Sequence, residues 1–273
     1  MASAMVAAHS VASIFARQDE ASPLRPDRGA GGTHRLNPVI VEDGTSRCLH
    51  FGPDYVQSRM CLDKPDELAL EYTRKMMAFL LFCPKPRDLV IVGLGGGSLT
   101  KFCYRHLPRT QVTTIEISRD VIQLSPRFGV PPEDHRLRIV HADAVDYFEN
   151  ASLRADVILL DGCDEDGVAP VFASARFYSR IHSCLHHRGV LVANLVGSAQ
   201  TRKTHSILIR ATFGTGTIVI PAGVGANRVA FGFKDDRASS RWGDIDRKAR
   251  KLSSLYDLDF PAYARLLRAG SSR

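Results

Sequence analysis

An α/β fold is what this 273-residue sequence predicts: a mostly parallel sheet with an antiparallel edge, preceded by a small N-terminal β-hairpin unit. Three observations carry that expectation. Short apolar runs alternate with segments of helical period and crossover length, the pattern of a parallel sheet. One run, Leu89 to Val92, passes into Gly93-Leu94-Gly95-Gly96-Gly97-Ser98 before a helix-like segment. The runs that follow lead to acids, Glu116, Asp143 and Asp161, which sets carboxylates along one rim of the sheet, where α/β folds hold their ligands.

In chain order, residues 1–37 are rich in Ala, Ser, Gly and Arg, and their one apolar patch, Ala4 to Phe15, is interrupted by His9 and Ser10. They read as a mobile leader, neither signal peptide nor membrane span. Val39 to Glu42, Asp43-Gly44 and Thr45 to Phe51 read as a β-hairpin whose Asp-Gly pair supplies positive φ, giving a small lid-forming unit over 38–64. Pro65 to Phe82 has a helical period with Leu68, Tyr72, Met76, Phe79 and Leu80 on one side. Then come a strand near 89–93, a helix from 98, a strand at 112–116, a helix from 118, and strands at 137–141 and 156–160. The residues between the last two strands carry no assignment. A helix near 174–187, a strand at 189–195, a helix at 199–212 and an antiparallel pair at 216–220 and 227–233, joined by Pro221 to Ala226, complete the sheet. The Rossmann-like domain runs over 65–235, with a helical tail at 236–273. His186 and His187, at the end of the 174–187 helix, read as partners of its dipole.

The net charge of +7 comes from scattered basic residues, which favours a solvated surface over a nucleic-acid partner. The six cysteines form no CxxC pair and no metal spacing, so reduced thiols in a cytoplasm are expected. The ten histidines form no ligand cluster, and no metal is expected. No stretch approaches the ~20 apolar residues of a transmembrane helix, so a soluble chain is expected.

Glycines let backbone approach a ligand without a Cβ in the way, and an acid at the tip of the next strand can accept both hydroxyls of a ribose. Ser98 stands where a dinucleotide fingerprint wants a third glycine or alanine, so that fit is poor, and the row of strand-end acids suits an adenosine with a cationic partner. Plain alternatives stand beside this: helix caps for Glu116 and Asp143, a solvated acidic loop for 161–166, and core packing for Tyr72.

From about Val39 to Phe233 the chain resembles the spermidine synthase family of polyamine aminopropyltransferases and spermidine synthase-like proteins. The residues that carry the resemblance are Val56-Gln57-Ser58, Glu71-Tyr72, Gly93 to Ser98, Ile115-Glu116-Ile117, Ala142-Asp143-Ala144, Leu160-Asp161-Gly162-Cys163-Asp164 and Arg188 to Asn194. The resemblance implies the class I S-adenosylmethionine methyltransferase fold. It also implies that Gly93, Gly95, Gly97, Glu116 and Asp143 hold the adenosyl donor, with Glu116 on the ribose and Asp143 on the adenine amine. Asp161 matches the carboxylate that deprotonates and orients the attacking amine, and Asp164 the one that holds the polyamine. Gln57 matches a lid-side residue lining the donor pocket, and Tyr72 lies in the segment lining the acceptor pocket. The implied donor is decarboxylated S-adenosylmethionine, or S-adenosylmethionine itself, and the acceptor a putrescine-like amine. Family members are commonly dimers, and Leu252, Leu255 and Leu258 offer a surface for a homodimer. Cys163, between acids that raise its thiol pKa, is not expected to be a nucleophile.

The chain departs from the family pattern in two places. Ser98 stands where the family's glycine loop continues with an aspartate that grips the donor's free amine. The tyrosine of the Pro65 to Phe82 helix is displaced, and Arg74 adds a positive charge able to meet a carboxylate. Three classes follow: an aminopropyltransferase, favoured by Asp161 and Asp164; a methyltransferase using intact donor, favoured by Ser98, Arg74 and Asn194; and a non-catalytic binding protein on the same fold.

Overall fold

The computed structural model describes residues 38–52, 55–150, 153–164, 167–223, 227–235 and 242–271. The leader expected over 1–37 lies outside them, as do Glu165 and Asp166 of the acidic loop and residues 224–226 of the last hairpin.

An antiparallel three-stranded sheet comes first, β1 (Val39–Glu42), β2 (Ser46–Gly52) and β3 (Tyr55–Cys61), in that order. The β1–β2 turn works differently from the expectation. Only Gly44 has positive φ, at 82°. Asp43 instead closes the turn with its side chain, its Oδ1 accepting from the Thr45 and Ser46 amides at 2.9 and 2.7 Å, the Asx device that lets a short acid stand in for backbone.

The main sheet contains β4 (Asp88–Val92), β5 (Gln111–Glu116), β6 (Leu137–His141), β7 (Ala155–Leu160), β10 (Leu185–Leu195), β11 (Thr217–Pro221) and β12 (Arg228–Phe233). Their spatial order is β11-β12-β10-β7-β4-β5-β6. The pairs from β10 to β6 are parallel, and β12 runs antiparallel to both β10 and β11. The expected parallel sheet with an antiparallel edge is therefore present. The central strands are apolar on both faces, as a doubly covered sheet requires. Leu89, Ile91, Val157, Leu159, Val190 and Val192 enter one core, and Val90, Val92, Ile158, Leu160, Leu191 and Ala193 the other, alternating with the period of a strand.

The first core is capped by α1 (Glu71–Met76) with its 3₁₀ continuation Met77–Leu81, α2 (Ser98–His106), α7 (Ile245–Tyr256) and α8 (Phe260–Ser271). The second is capped by α4 (Ala144–Asn150), α5 (Ala175–Cys184) and α6 (Ala199–Phe213). A third cluster joins Val121 of α3 (Arg119–Leu124) to Leu49 and Met60 of the N-terminal sheet. Lys101 of α2 helps hold that sheet in place. Its Nζ, on a side chain in a residue only 2 % exposed, donates to Met60 Sδ and to the Pro65 and Phe128 carbonyls.

Several boundaries differ from the sequence expectation, each for a local reason. The helix expected from Pro65 begins at Glu71, because Leu68 and Ala69 turn their carbonyls toward the Arg74 guanidinium, at 2.6 and 2.9 Å. The unassigned stretch before β7 contains α4, whose start is held by Asp143 Oδ1 accepting from Val145 N at 2.7 Å. α5 stops at Cys184, so His186 and His187 lie exposed on β10 and have no helix dipole to meet. The register shift between Leu185 and Val190 absorbs this early start of the strand. In the C-terminal segment Leu252 is buried and Leu258 packs against the same core, leaving Leu255, 58 % exposed, as the one leucine of the three that faces outward. Among the described residues no helix is long and apolar enough to cross a membrane.

Candidate active site

The site begins where β4 ends. Gly93, Gly95 and Gly97 all have positive φ, at 93, 50 and 69°, which only glycine adopts without strain. A Cβ on Gly93 would lie 2.5 Å from the Asp161 carbonyl oxygen, so the first loop residue also sits against the end of β7. Gly97 is the N-cap of α2. Gly96 faces the N-terminal sheet, where a Cβ would come within 2.6 Å of Ser58 Oγ and 3.0 Å of the Phe128 ring.

Glu116, at the end of β5, is 8 % exposed. Its Oε2 accepts from Leu94 N and its Oε1 from Ser118 N, both at 2.8 Å. The carboxylate thus ties the glycine loop to the neighbouring strand with one lone pair of each oxygen, leaving the others for a ligand. Asp143 follows β6 and caps α4 with Oδ1. The capping expected of Asp143 is thus present.

Asp161 follows β7 and, like Glu116, has a hydrogen bond on each carboxylate oxygen. Asn194 Nδ2 donates to its Oδ1 at 2.9 Å, and the Tyr72 hydroxyl donates to its Oδ2 at 3.1 Å. Burial pushes the Asp161 carboxyl up to about 7, and the two hydrogen bonds favour the charged form and hold it from rising further. Asp164 belongs to a two-residue ladder, β8 (Cys163–Asp164) against β9 (Gly167–Val168). That ladder is pinned to the segment after β10. Val168 N donates to the Val196 carbonyl at 3.2 Å, and a Cβ on Gly167 would lie 2.5 Å from Gly197 Cα. Burial, more than the flanking acids, drives the Cys163 thiol well above its usual range, so a thiolate is disfavoured by a stronger cause than the sequence suggests.

A cavity of about 560 Å³ is lined by Gln57, Gly93, Gly95, Glu116, Asp143, Asp161 and Asp164. Tyr72 and Ser98 instead line a narrow recess of about 20 Å³, which shares Gln57, Gly93, Gly95 and Asp161 with the cavity. Of the residues singled out from sequence, Gly97, Arg74 and Asn194 line neither space. The Gln57 Oε1 is buried without a hydrogen-bond partner. Sequence reading passed over the apolar collar of the cavity, Phe51, Ile117, Val171 and Phe172. Ile117 and Val171 are 52 and 50 % exposed, an exposure that the sequence, where both read as ordinary apolar residues, does not signal.

Tyr72, displaced in sequence from the family's pattern, reaches Asp161 across 89 positions. The Arg74 guanidinium binds the Leu68 and Ala69 carbonyls. Among the described residues no group of three or more His, Cys, Asp or Glu side chains is placed to hold a metal ion.

A seven-stranded sheet in this order, with a glycine loop hydrogen-bonded to the acid that ends the next strand, defines a protein of the class I methyltransferase fold. Residues 69–212 match the spermine/spermidine synthase domain, and the chain belongs to that family. It is 32 % identical over 223 residues to a polyamine aminopropyltransferase of Neisseria meningitidis serogroup B, covering 81 % of this chain and 85 % of that one. It is 30 % identical over 230 residues to the polyamine aminopropyltransferase of Chromobacterium violaceum, covering 84 and 88 %. The crystal structure of a probable spermidine synthase from Corynebacterium glutamicum shares the fold, with a TM-score of 0.66 at 19 % identity over 82 % of this chain and 88 % of that one.

Proposed function

We propose that this chain is a transferase that moves an aminopropyl group from decarboxylated S-adenosylmethionine to a putrescine-like amine. The observation that carries the reading is Asp161, a half-buried acid held by two donors where the large cavity and the narrow recess share a wall. The attacking amine must lose a proton, and a carboxyl poised near pH 7 is suited to take it at neutral pH. The amine's lone pair forms the new N–C bond as the C–S bond breaks. The electron pair stays on sulfur as a neutral thioether, and the proton passes to Asp161. Positioning along one line is most of the remaining work.

In this reading Gly93, Gly95 and Gly97 give the donor a backbone surface, Glu116 takes the ribose hydroxyls and Asp143 the adenine amine. Asp164 attracts the cationic acceptor, Tyr72 orients Asp161, and Gln57 closes the donor pocket from the N-terminal sheet. Membership of a family with aminopropyltransferase relatives supports the reading. Two of the three features that favoured an intact donor are otherwise occupied, Arg74 by backbone carbonyls and Asn194 by Asp161. We further propose a cytoplasmic homodimer, with the exposed Leu255 within its contact, and the division into 1–37, 38–64, 65–235 and 236–273 as the working organisation of the chain.

The test is to incubate the protein with each donor in turn and with putrescine, cadaverine or spermidine, and to identify products by mass spectrometry. An amine heavier by an aminopropyl group, together with methylthioadenosine, is the expected result. A methylated amine from the intact donor would replace this reading with methyl transfer. In the same assay Asp164→Asn raises the acceptor KM with little effect on the donor.

A further inference from the structure

Asn194 sits in a run of buried apolar residues on β10, Val190 to Leu195, and is itself 4 % exposed. Residues chosen for packing alone at such a position are aliphatic, since a buried amide is favourable only when its hydrogen bonds are made. This amide has a partner on its nitrogen and none on its oxygen. Its Nδ2 donates to Asp161 Oδ1 at 2.9 Å, while its Oδ1 is buried with no partner. The register explains how it reaches: Ala193 pairs with Leu160, so the next residue on each strand, Asn194 and Asp161, emerges together at the rim.

We propose that Asn194 is a positioning residue for the transfer: its amide holds the Asp161 carboxylate in one orientation, opposite Tyr72, and favours its charged form over its neutral one. The proposal rests on Asp161 being the group that takes the proton. One oxygen goes to each donor, so rotation about the Cβ–Cγ bond breaks both bonds, and the lone pairs left over fix the direction from which an amine is accepted. The orphaned Oδ1 is the cost of that arrangement to the core. The titratable groups around Asp161 are Tyr72 from α1 and Cys163 and Asp164 from the loop that follows β7. The thiol stays neutral because of its burial. Asn194 is therefore the neutral donor with which the strand side of the site favours the carboxylate.

The experiment uses the full chain and two variants. Asn194→Leu keeps the same heavy-atom branching, with bulkier methyl ends, and removes the donor and the orphaned acceptor together. Asn194→Asp replaces the donor by a second acid. A purely structural amide predicts a lower melting temperature in the leucine variant and an unmoved Asp161. The proposal predicts an unchanged or higher melting temperature. It also predicts an Asp161 carboxyl, followed by carbon-13 NMR, that titrates roughly one to two pH units higher, the size a lost hydrogen bond to a charged group gives. The acid limb of the kcat/KM profile moves up by the same amount, with donor KM unchanged. The aspartate variant moves the titration further in the same direction, because like charges share a proton. An active wild type with an unmoved Asp161 titration in the leucine variant overturns the proposal alone. A wild type that transfers nothing to any amine removes the base role of Asp161, and the proposal with it.

Discussion

The Tyr72 hydroxyl donates to Asp161 Oδ2 at 3.1 Å, joining the helix that covers one face of the sheet to the rim of its central strand. A hydrogen bond to a carboxylate favours the charged form. Tyr72→Phe therefore raises the pKa of Asp161. The acid limb of the pH–rate profile is expected to move upward by roughly one unit, the equivalent of about 1.5 kcal/mol. Turnover at neutral pH falls, while at high pH, where the acid is ionised regardless, most of it returns. A profile that merely scales down at every pH would assign the tyrosine to substrate contact alone.

Asp161 also makes stability depend on pH. Its folded carboxyl titrates near 7, above the ordinary value of 3.8 that an unfolded chain shows. Between those limits the folded state holds more protons than the unfolded one, so the contribution of Asp161 to stability is greatest below about pH 4 and declines as pH rises toward 7. Asp161→Asn removes this decline. In denaturant titrations at pH 8 the variant is expected to be more stable than the wild type by on the order of a few kcal/mol, with a much smaller difference at pH 4. Its turnover is expected to drop by roughly 10²-fold or more, with donor affinity barely changed.

Glu116 is expected to dominate donor affinity. Glu116→Gln keeps the side-chain shape but loses the charge, and its amide nitrogen can no longer accept from whichever of Leu94 N and Ser118 N it faces. Calorimetry with methylthioadenosine should register a loss of about 1.5–3 kcal/mol, roughly 10- to 150-fold in Kd. Unchanged affinity would place the ribose elsewhere in the cavity.

Lys101 is a buried ammonium, and desolvation brings its pKa down to about 8. The unfolded chain keeps that proton to about 10.5, so between these values the unfolded state holds more protons and stability rises with pH. Lys101→Met lacks this rise and strips a donor from the Pro65 and Phe128 carbonyls. Its melting temperature is expected to lie below that of the wild type at pH 8, and the gap to widen toward pH 10.

The sheet was legible because its central strands are apolar on both faces, a pattern that depends only on local sequence, and the glycine loop because three positive-φ positions leave few alternatives to glycine. The helix α4 was not, since seven residues starting behind an acid give too little period to separate helix from loop. The reach of the 174–187 helix was overread for a related reason: nothing local marks where Leu185 leaves the helix to pair with Ala155. Glu116, Asp143, Asp161 and Asp164 could be picked out as rim acids one by one. Their partners could not. Tyr72 and Asn194 lie 89 and 33 positions from Asp161, and only the crossover that sets β10 beside β7 brings the amide to the acid.

Ser58 of the N-terminal sheet and Gly96 of the loop after β4 face one another closely. The serine occupies the space that any side chain at position 96 would need, so position 96 is not free to vary alone. An attempt to graft an acid into the middle of the glycine loop, as a means of gripping a more cationic donor, would first collide with the N-terminal sheet. A smaller residue at 58 relieves one of the two obstructions and leaves the Phe128 ring 3.0 Å away. Donor preference in this chain is thus insulated from single substitutions at that point, and its evolution along that route requires paired changes in segments 38 residues apart.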